Sequence, residues 1–147
     1  MTRRVVFLVL SLIASLSMPV HADEEKHHFT VALPAQWQNA SRIWLVLEGV
    51  TAPGDRPFKL RVTTVTEEQQ ILVLGSAGIV AVRPTMSEPR RLPALRIDVT
   101  RALKLLTTHL ADAQNVTIAI QAVDRRNDSL AGFTWSAERV WLETTQK

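Results

Sequence analysis

The stretch from Arg42 to Val65 constrains the fold most, because it contains two β-strand patterns around a Pro-Gly-Asp turn. The first run, Ile43 to Val50, is almost entirely apolar, which is typical of a strand covered on both faces. The second run alternates, with Phe58, Leu60 and Val62 on one face and charged or polar residues between them. The stretch therefore predicts an antiparallel strand pair in the core of a β-sandwich.

Short strand patterns recur at even spacing through the rest of the chain. They cover residues 28–33, 71–74, 79–82, 95–99, 115–123 and 133–143. Gly75 to Gly78 predicts a bend or bulge between two of these runs. Thr100 is placed to cap one helix, predicted over 101–111, whose apolar stripe is centred on Leu106. We predict an all-β domain, a β-sandwich or jelly roll of about seven strands with one short helix.

The N-terminal segment has the organisation of a secretory signal peptide. Arg3 and Arg4 form a basic region, Val5 to Leu16 form an apolar region, and Val20-His21-Ala22 suits signal peptidase. The apolar region is shorter than the roughly 20 residues that span a bilayer. We expect residues 1–22 to be removed, which leaves a periplasmic or secreted chain that is not attached to a membrane.

Residues 23–147 are enough for a single domain with its own core. Within them, the charged segment 23–28 predicts a flexible tail. Removing two signal arginines from 17 Lys and Arg residues leaves 15 against 14 Asp and Glu residues, so no charge excess favours nucleic acid. The chain has no cysteine and no tyrosine, which excludes disulfides, thiolate metal sites and tyrosyl chemistry.

His27 and His28 are the candidate metal ligands, because imidazoles suit copper and zinc. Adjacent strand residues point to opposite faces, so the two could share one metal only in a flexible tail. We favour a solvated tail and predict no metal, no cofactor and no catalytic residue. His109 is predicted to lie near the end of the helix, where a cation favours the dipole.

Glu48 is the other unusual residue, because it lies within the apolar central strand. It could be a general acid with a raised pKa, or a structural carboxylate paired with an arginine. We favour the structural role, with Arg42, Arg61 or Arg96 as the partner. The tryptophans are interpreted as core and rim residues rather than a sugar platform; they are Trp37, Trp44, Trp135 and Trp141.

Several passages, in this order, resemble the C-terminal domain of polyphenol oxidases, the catechol oxidases and tyrosinases. Leu45 to Val50 resembles the family's apolar-Glu-Gly strand, and Lys59 to Val62 stands in place of its Lys-Phe-Asp-Val motif. Leu95 to Thr100, with the leucine-rich helix after it, is similar to the family's strand-Thr-helix passage. Residues 115–123 and Val140 to Glu143 resemble its last two strands.

The resemblance extends from Ser41 to Thr144, and it implies a β-sandwich without catalytic activity of its own. Arg61 replaces the aspartate of the motif and Leu60 its aromatic residue. The family's copper domain, with two sets of three histidines, has no counterpart in residues 1–147. In the family this sandwich packs on the copper domain and shields its entrance until activation.

The resemblance therefore implies an exported accessory protein that caps or assists a separate dicopper oxidase. The alternative is a stand-alone periplasmic binding module for a small molecule, a glycan or copper. An enzyme of another type is the weakest of these interpretations.

Overall fold

The computed structural model describes residues 26–81 and 88–146 of the chain. Within them, runs of β-branched and alternating residues form nine strands, and one α-helix, α1, covers Thr100–Leu105. The strands are β1 (Lys26–Ala32), β2 (Arg42–Glu48), β3 (Thr51–Pro53), β4 (Phe58–Val65), β5 (Ile71–Ile79), β6 (Pro89–Arg91), β7 (Leu95–Asp98), β8 (Asn115–Val123) and β9 (Arg139–Thr145). The predicted signal peptide at 1–22 lies outside these residues. No helix in the described ranges is long and apolar enough to cross a membrane.

The strands form two main sheets with antiparallel pairing. One has four strands in the order β1-β8-β4-β5, and the other has three in the order β7-β2-β9. A small two-stranded sheet pairs β3 with β6. The predicted all-β sandwich is confirmed, and the described strands form no closed barrel. The core lies between the main sheets, and its most deeply buried members include Ile43, Leu45, Leu47, Leu60, Val62, Ile118 and Ile120.

The predicted pairing within Arg42 to Val65 is wrong. β2 pairs with β7 and β9, whereas β4 pairs with β5 and β8 in the other sheet. Gly49 ends β2 with a φ of 64°, a left-handed conformation that residues with a Cβ rarely adopt. The apolar faces of two strands are buried both when the strands are neighbours in one sheet and when they face each other across the core from different sheets. The hydrophobic pattern alone therefore did not separate the two arrangements.

The predicted bulge near Gly75 is confirmed within a single strand, β5. Its pairing with β4 shifts by one residue between Val62 and Thr63. A Cβ on Gly75 would lie 2.7 Å from Cγ2 of Ile97 and 3.0 Å from the carbonyl oxygen of Asp98. The missing side chain therefore lets β5 approach β7, which brings the edges of the two main sheets together.

The helix is shorter than the predicted 101–111. Its N-cap is Val99, which makes no side-chain capping bond, so the predicted capping role of Thr100 is wrong. Oγ1 of Thr100 instead accepts a hydrogen bond from the backbone N–H of Ile43 at 2.8 Å. This bond ties the start of α1 to the central strand of the three-stranded sheet.

The helix ends at Leu105 because the next residues compete with helical hydrogen bonding. Oγ1 of Thr107 donates to the carbonyl oxygen of Lys104 at 2.7 Å, and threonine has a lower helix propensity than leucine or lysine. His109 follows in an exposed turn beyond the helix, so its predicted interaction with the last helical turn is wrong.

The first and last strands, β1 and β9, begin at residues other than those predicted from the sequence. β1 begins at Lys26, so the predicted tail at 23–28 is corrected for 26–28, which pair with β8. β9 begins at Arg139 rather than at residue 133, and Phe133 and Trp135 are buried in irregular backbone before it. The start of β9 depends on pairing with β2, which lies far away in sequence.

We predict that Leu106→Ala lowers the free energy of unfolding by about 2–5 kcal/mol, the usual cost of truncating a buried leucine. Leu106 is 7% exposed and belongs to the core. Leu105→Ala is the matched control, because its side chain is 69% exposed and should change stability by about 0.5 kcal/mol or less. Urea unfolding of both variants measures the difference, and equal losses would show that this end of α1 is not packed as described.

Candidate functional site

The candidate metal ligands His27 and His28 point to opposite faces of β1. The ring of His27 points into the sandwich and packs on Trp135, with the ring centroids 4.5 Å apart. The ring of His28 is exposed on the outer face of the four-stranded sheet. Across residues 26–81 and 88–146, no group of three or more His, Cys, Asp or Glu side chains is placed to hold a metal ion.

Glu48 pairs with an arginine, but with none of the three predicted partners. Nε of Arg139 donates to Oε2 of Glu48 at 2.7 Å. The two residues lie directly opposite each other in the register of β2 and β9. The Glu48 side chain is 41% exposed, so the burial that would make it a general acid is missing.

The four tryptophans divide into two classes. Trp37 and Trp135 are 3% and 2% exposed and belong to the core. Trp44 and Trp141 are half-buried on the outer face of the three-stranded sheet. Their placement follows from strand alternation, because Ile43 and Leu45 on either side of Trp44 point inward.

These two tryptophans are surrounded by charged side chains on the same surface, which we call the Trp face. It consists of outward residues of β2, β7 and β9: Arg42, Trp44, Val46, Glu48, Arg96, Asp98, Arg139, Trp141 and Glu143. Besides the Glu48–Arg139 pair, two ion pairs cross the strands: Arg42 to Asp98 at 2.7 Å and Arg96 to Glu143 at 3.1 Å.

Arginine side chains also cover the tryptophan rings. The guanidinium carbon of Arg42 lies 5.8 Å from the ring centroid of Trp44, and that of Arg139 lies 5.2 Å from Trp141. Three arginines against three carboxylates make the face electrically neutral. Exposed ion pairs of this kind contribute at most about 1 kcal/mol each to stability.

Among the carboxylates of the Trp face, Asp98 accepts hydrogen bonds from Thr100 as well as from an arginine. The Thr100 hydroxyl donates to its Oδ1 at 2.6 Å, and this bond lowers the pKa of Asp98 below its ordinary value. The Thr100 backbone N–H and the Arg42 guanidinium lower this pKa further, against a raising effect of burial. The ionised carboxylate therefore joins the Trp face to the start of α1.

Sequence reasoning identified the tryptophans and Glu48 but not the surface that they share. Part of this surface could have been predicted, because Arg42, Trp44, Val46 and Glu48 alternate in sequence and therefore lie on one face of β2. The residues that complete the surface come from β7 and β9, about 50 to 100 residues later, and only strand pairing brings them together.

No family model matches this chain, and no curated protein matches it. Among solved structures, it is similar to a recombinantly expressed latent aurone synthase (polyphenol oxidase), with a TM-score of 0.55 and 8% sequence identity. The match covers 95% of this chain and 28% of that chain. At this identity the likeness shows the fold alone. The covered share is consistent with the C-terminal domain of a polyphenol oxidase, the domain that the sequence resembles.

We predict that Asp98→Asn makes the free energy of unfolding less dependent on pH in the acid range. Because the pKa of Asp98 is lowered in the folded chain, its contribution is present above the unfolded pKa of about 4 and is lost as pH falls through the folded pKa. Asp98→Asn should therefore be less stable than the wild type at neutral pH and should converge with it in acid. Urea unfolding between about pH 7 and about pH 2 measures this.

Asp112→Asn is the control for this prediction. Asp112 is exposed, and its side chain makes no hydrogen bond or ion pair in the part of the chain that the structure describes. Its pH profile should follow that of the wild type. Parallel profiles for Asp98→Asn and the wild type would contradict the assigned role of Asp98.

Proposed function

We propose that this chain is a non-catalytic accessory protein that caps or assists a separate dicopper oxidase. The observation that carries the proposal is the fold likeness, in which 95% of this chain matches only 28% of a polyphenol oxidase chain. The sequence resemblance concerns the C-terminal domain of the same enzyme class. The matched enzyme is described as latent, which agrees with a domain that shields an entrance until activation.

The Trp face supports this proposal as the contact surface. Tryptophan and arginine are enriched among the residues that dominate binding energy in protein interfaces. Here Trp44 and Trp141 lie half-exposed, each with an arginine over its ring. The neutral charge of the face also limits the desolvation cost, since each arginine carries its own carboxylate partner into the contact.

A contact of standard size would extend beyond the outer face of the three-stranded sheet. Seven residues at about 3.3 Å each and three strands about 4.8 Å apart give an area of roughly 300 Å², below the about 800 Å² that each partner buries in a standard interface. The Arg91–Glu138 pair at 2.8 Å continues the surface, because the backbone N–H of Glu138 bonds to the carbonyl oxygen of Glu48 at 3.0 Å. We propose that this end of the sandwich takes part in the contact.

The proposal excludes oxidase activity in the chain itself. Dicopper chemistry needs several imidazole ligands held in fixed geometry. His27 points into the sandwich and His28 points outward, while His109 lies in the turn after α1.

We predict that the purified chain, supplied with copper, oxidises no catechol above the rate of free copper. Absorbance of the quinone product measures the rate, and a dicopper oxidase assayed in parallel is the positive control. Catechol turnover that scales with the concentration of this chain would overturn the proposal.

We predict that the chain co-purifies with a dicopper oxidase encoded beside it and changes the activity or the copper loading of that enzyme. Truncating Trp44 and Trp141 together to alanine should weaken the complex by about 30-fold or more, since a hot-spot residue contributes at least about 2 kcal/mol and tryptophan is enriched among hot spots. Ile71→Ala with Val73→Ala is the control, because both side chains are exposed on the other main sheet.

Calorimetric titration measures the affinities, and melting temperatures check that all variants fold. A complex that survives loss of both tryptophans would contradict the assigned surface. An oxidase that forms no complex and is fully active and copper-loaded without this chain would favour the binding-module alternative.

A further inference from the structure

The outer face of the four-stranded sheet differs in charge from the Trp face. Its charged or titratable strand residues are Lys26, His28, Lys59 and Arg61, which alternate outward along β1 and β4. Among the outward positions described in β1, β8, β4 and β5, none is acidic. Cations that attract no acidic partner on their own sheet favour an anionic ligand.

A cavity of about 330 Å³ opens on this face. Lys26, His28 and Arg61 line one part of it. Val65 and Ile71 line another part, and they are 58% and 66% exposed. The cavity therefore combines a cationic region with an apolar wall, which are the two features that bind an amphiphilic anion.

Residues 127–129 form a further wall of the cavity, and the structure shows why this turn has a defined shape. Asn127 adopts a φ of 69°, and the Asp124 carboxylate accepts hydrogen bonds from the backbone N–H groups of Arg126 at 2.7 Å and Asp128 at 2.9 Å. An isolated β-bridge then joins Ser129 to Val123 at the end of β8. The wall is thus held by local bonds that no ligand needs to supply.

Among the described residues that line the cavity, the charge remains positive when the one acidic residue, Asp128, is included. Asp128 lines the cavity together with Lys26 and Arg61, which leaves one net positive charge among these three side chains. Arg61 is half-buried and forms none of the four ion pairs seen in residues 26–81 and 88–146. Its guanidinium is therefore available for a ligand, and a guanidinium can bind a carboxylate through two hydrogen bonds.

We propose that this cavity binds a small organic carboxylate with an apolar body. The carboxylate contacts Arg61 and Lys26, and an arene or branched acyl group covers Val65 and Ile71. The volume of about 330 Å³ lies at the lower end of the range for small-molecule sites, which limits the ligand to a compact molecule. The site lies on the opposite main sheet from the Trp face, so it does not depend on the function proposed above.

The test is calorimetric titration of the full exported chain with phenylpropanoate. We expect saturable binding to one site, and no binding of the uncharged phenylpropanamide. Arg61→Gln should weaken binding by about tenfold or more, as expected for loss of a hydrogen bond to a charged group. Lys59→Gln is the matched control, because Lys59 lies two residues away on the same face of β4 but outside the cavity.

Two further measurements separate the parts of the proposal. Lys26→Gln changes an exposed strand residue that does not belong to the core, and it should also weaken binding. Truncating Trp44 and Trp141 should leave binding unchanged. Equal affinity for the amide, or unchanged affinity after both Arg61→Gln and Lys26→Gln, would overturn the carboxylate site. Competition by inorganic phosphate at a similar concentration would overturn the role of the apolar wall.

Discussion

Burial of the central strand β2 is the constraint on which the rest of the sandwich depends. Ile43, Leu45 and Leu47 are each at most 1% exposed, and burying side chains of this kind contributes about 1.5–3 kcal/mol each. Their burial requires the four-stranded sheet on one face, and the backbone of β2 requires β7 and β9 on its edges. The hydrogen bond from Ile43 to Thr100 then places α1 against the same strand.

The same alternation that buries one face of each strand also decides what the other face presents. On the three-stranded sheet, arginines and carboxylates lie opposite each other and pair around Trp44 and Trp141. On the four-stranded sheet, the outward positions contain cations without acids. One domain therefore presents a neutral aromatic surface, for which we propose a protein partner, and a cationic cavity, for which we propose a small anion.

Asp98 contacts several parts of the molecule at once. It ends β7, pairs with Arg42 across the Trp face, and accepts hydrogen bonds from Thr100 at the start of α1. Its carbonyl oxygen also lies where a side chain on Gly75 would have to fit. The close approach of β5 to β7 and the lowered pKa of Asp98 therefore belong to one junction between the two main sheets.

The sequence by itself determined the fold class, most strand positions and the bulge at Gly75, because periodicity and glycine placement are local properties. Asn115–Val123 was predicted with the bounds that the structure shows. Tertiary structure decided which strands pair: β2 and β4 face each other across the core, and Arg139 is the partner of Glu48. It also separated surface tryptophans from core tryptophans and assembled the cavity around Arg61. These features depend on contacts between residues far apart in sequence, and a pattern read along the chain contains no information about which distant strand will lie beside it.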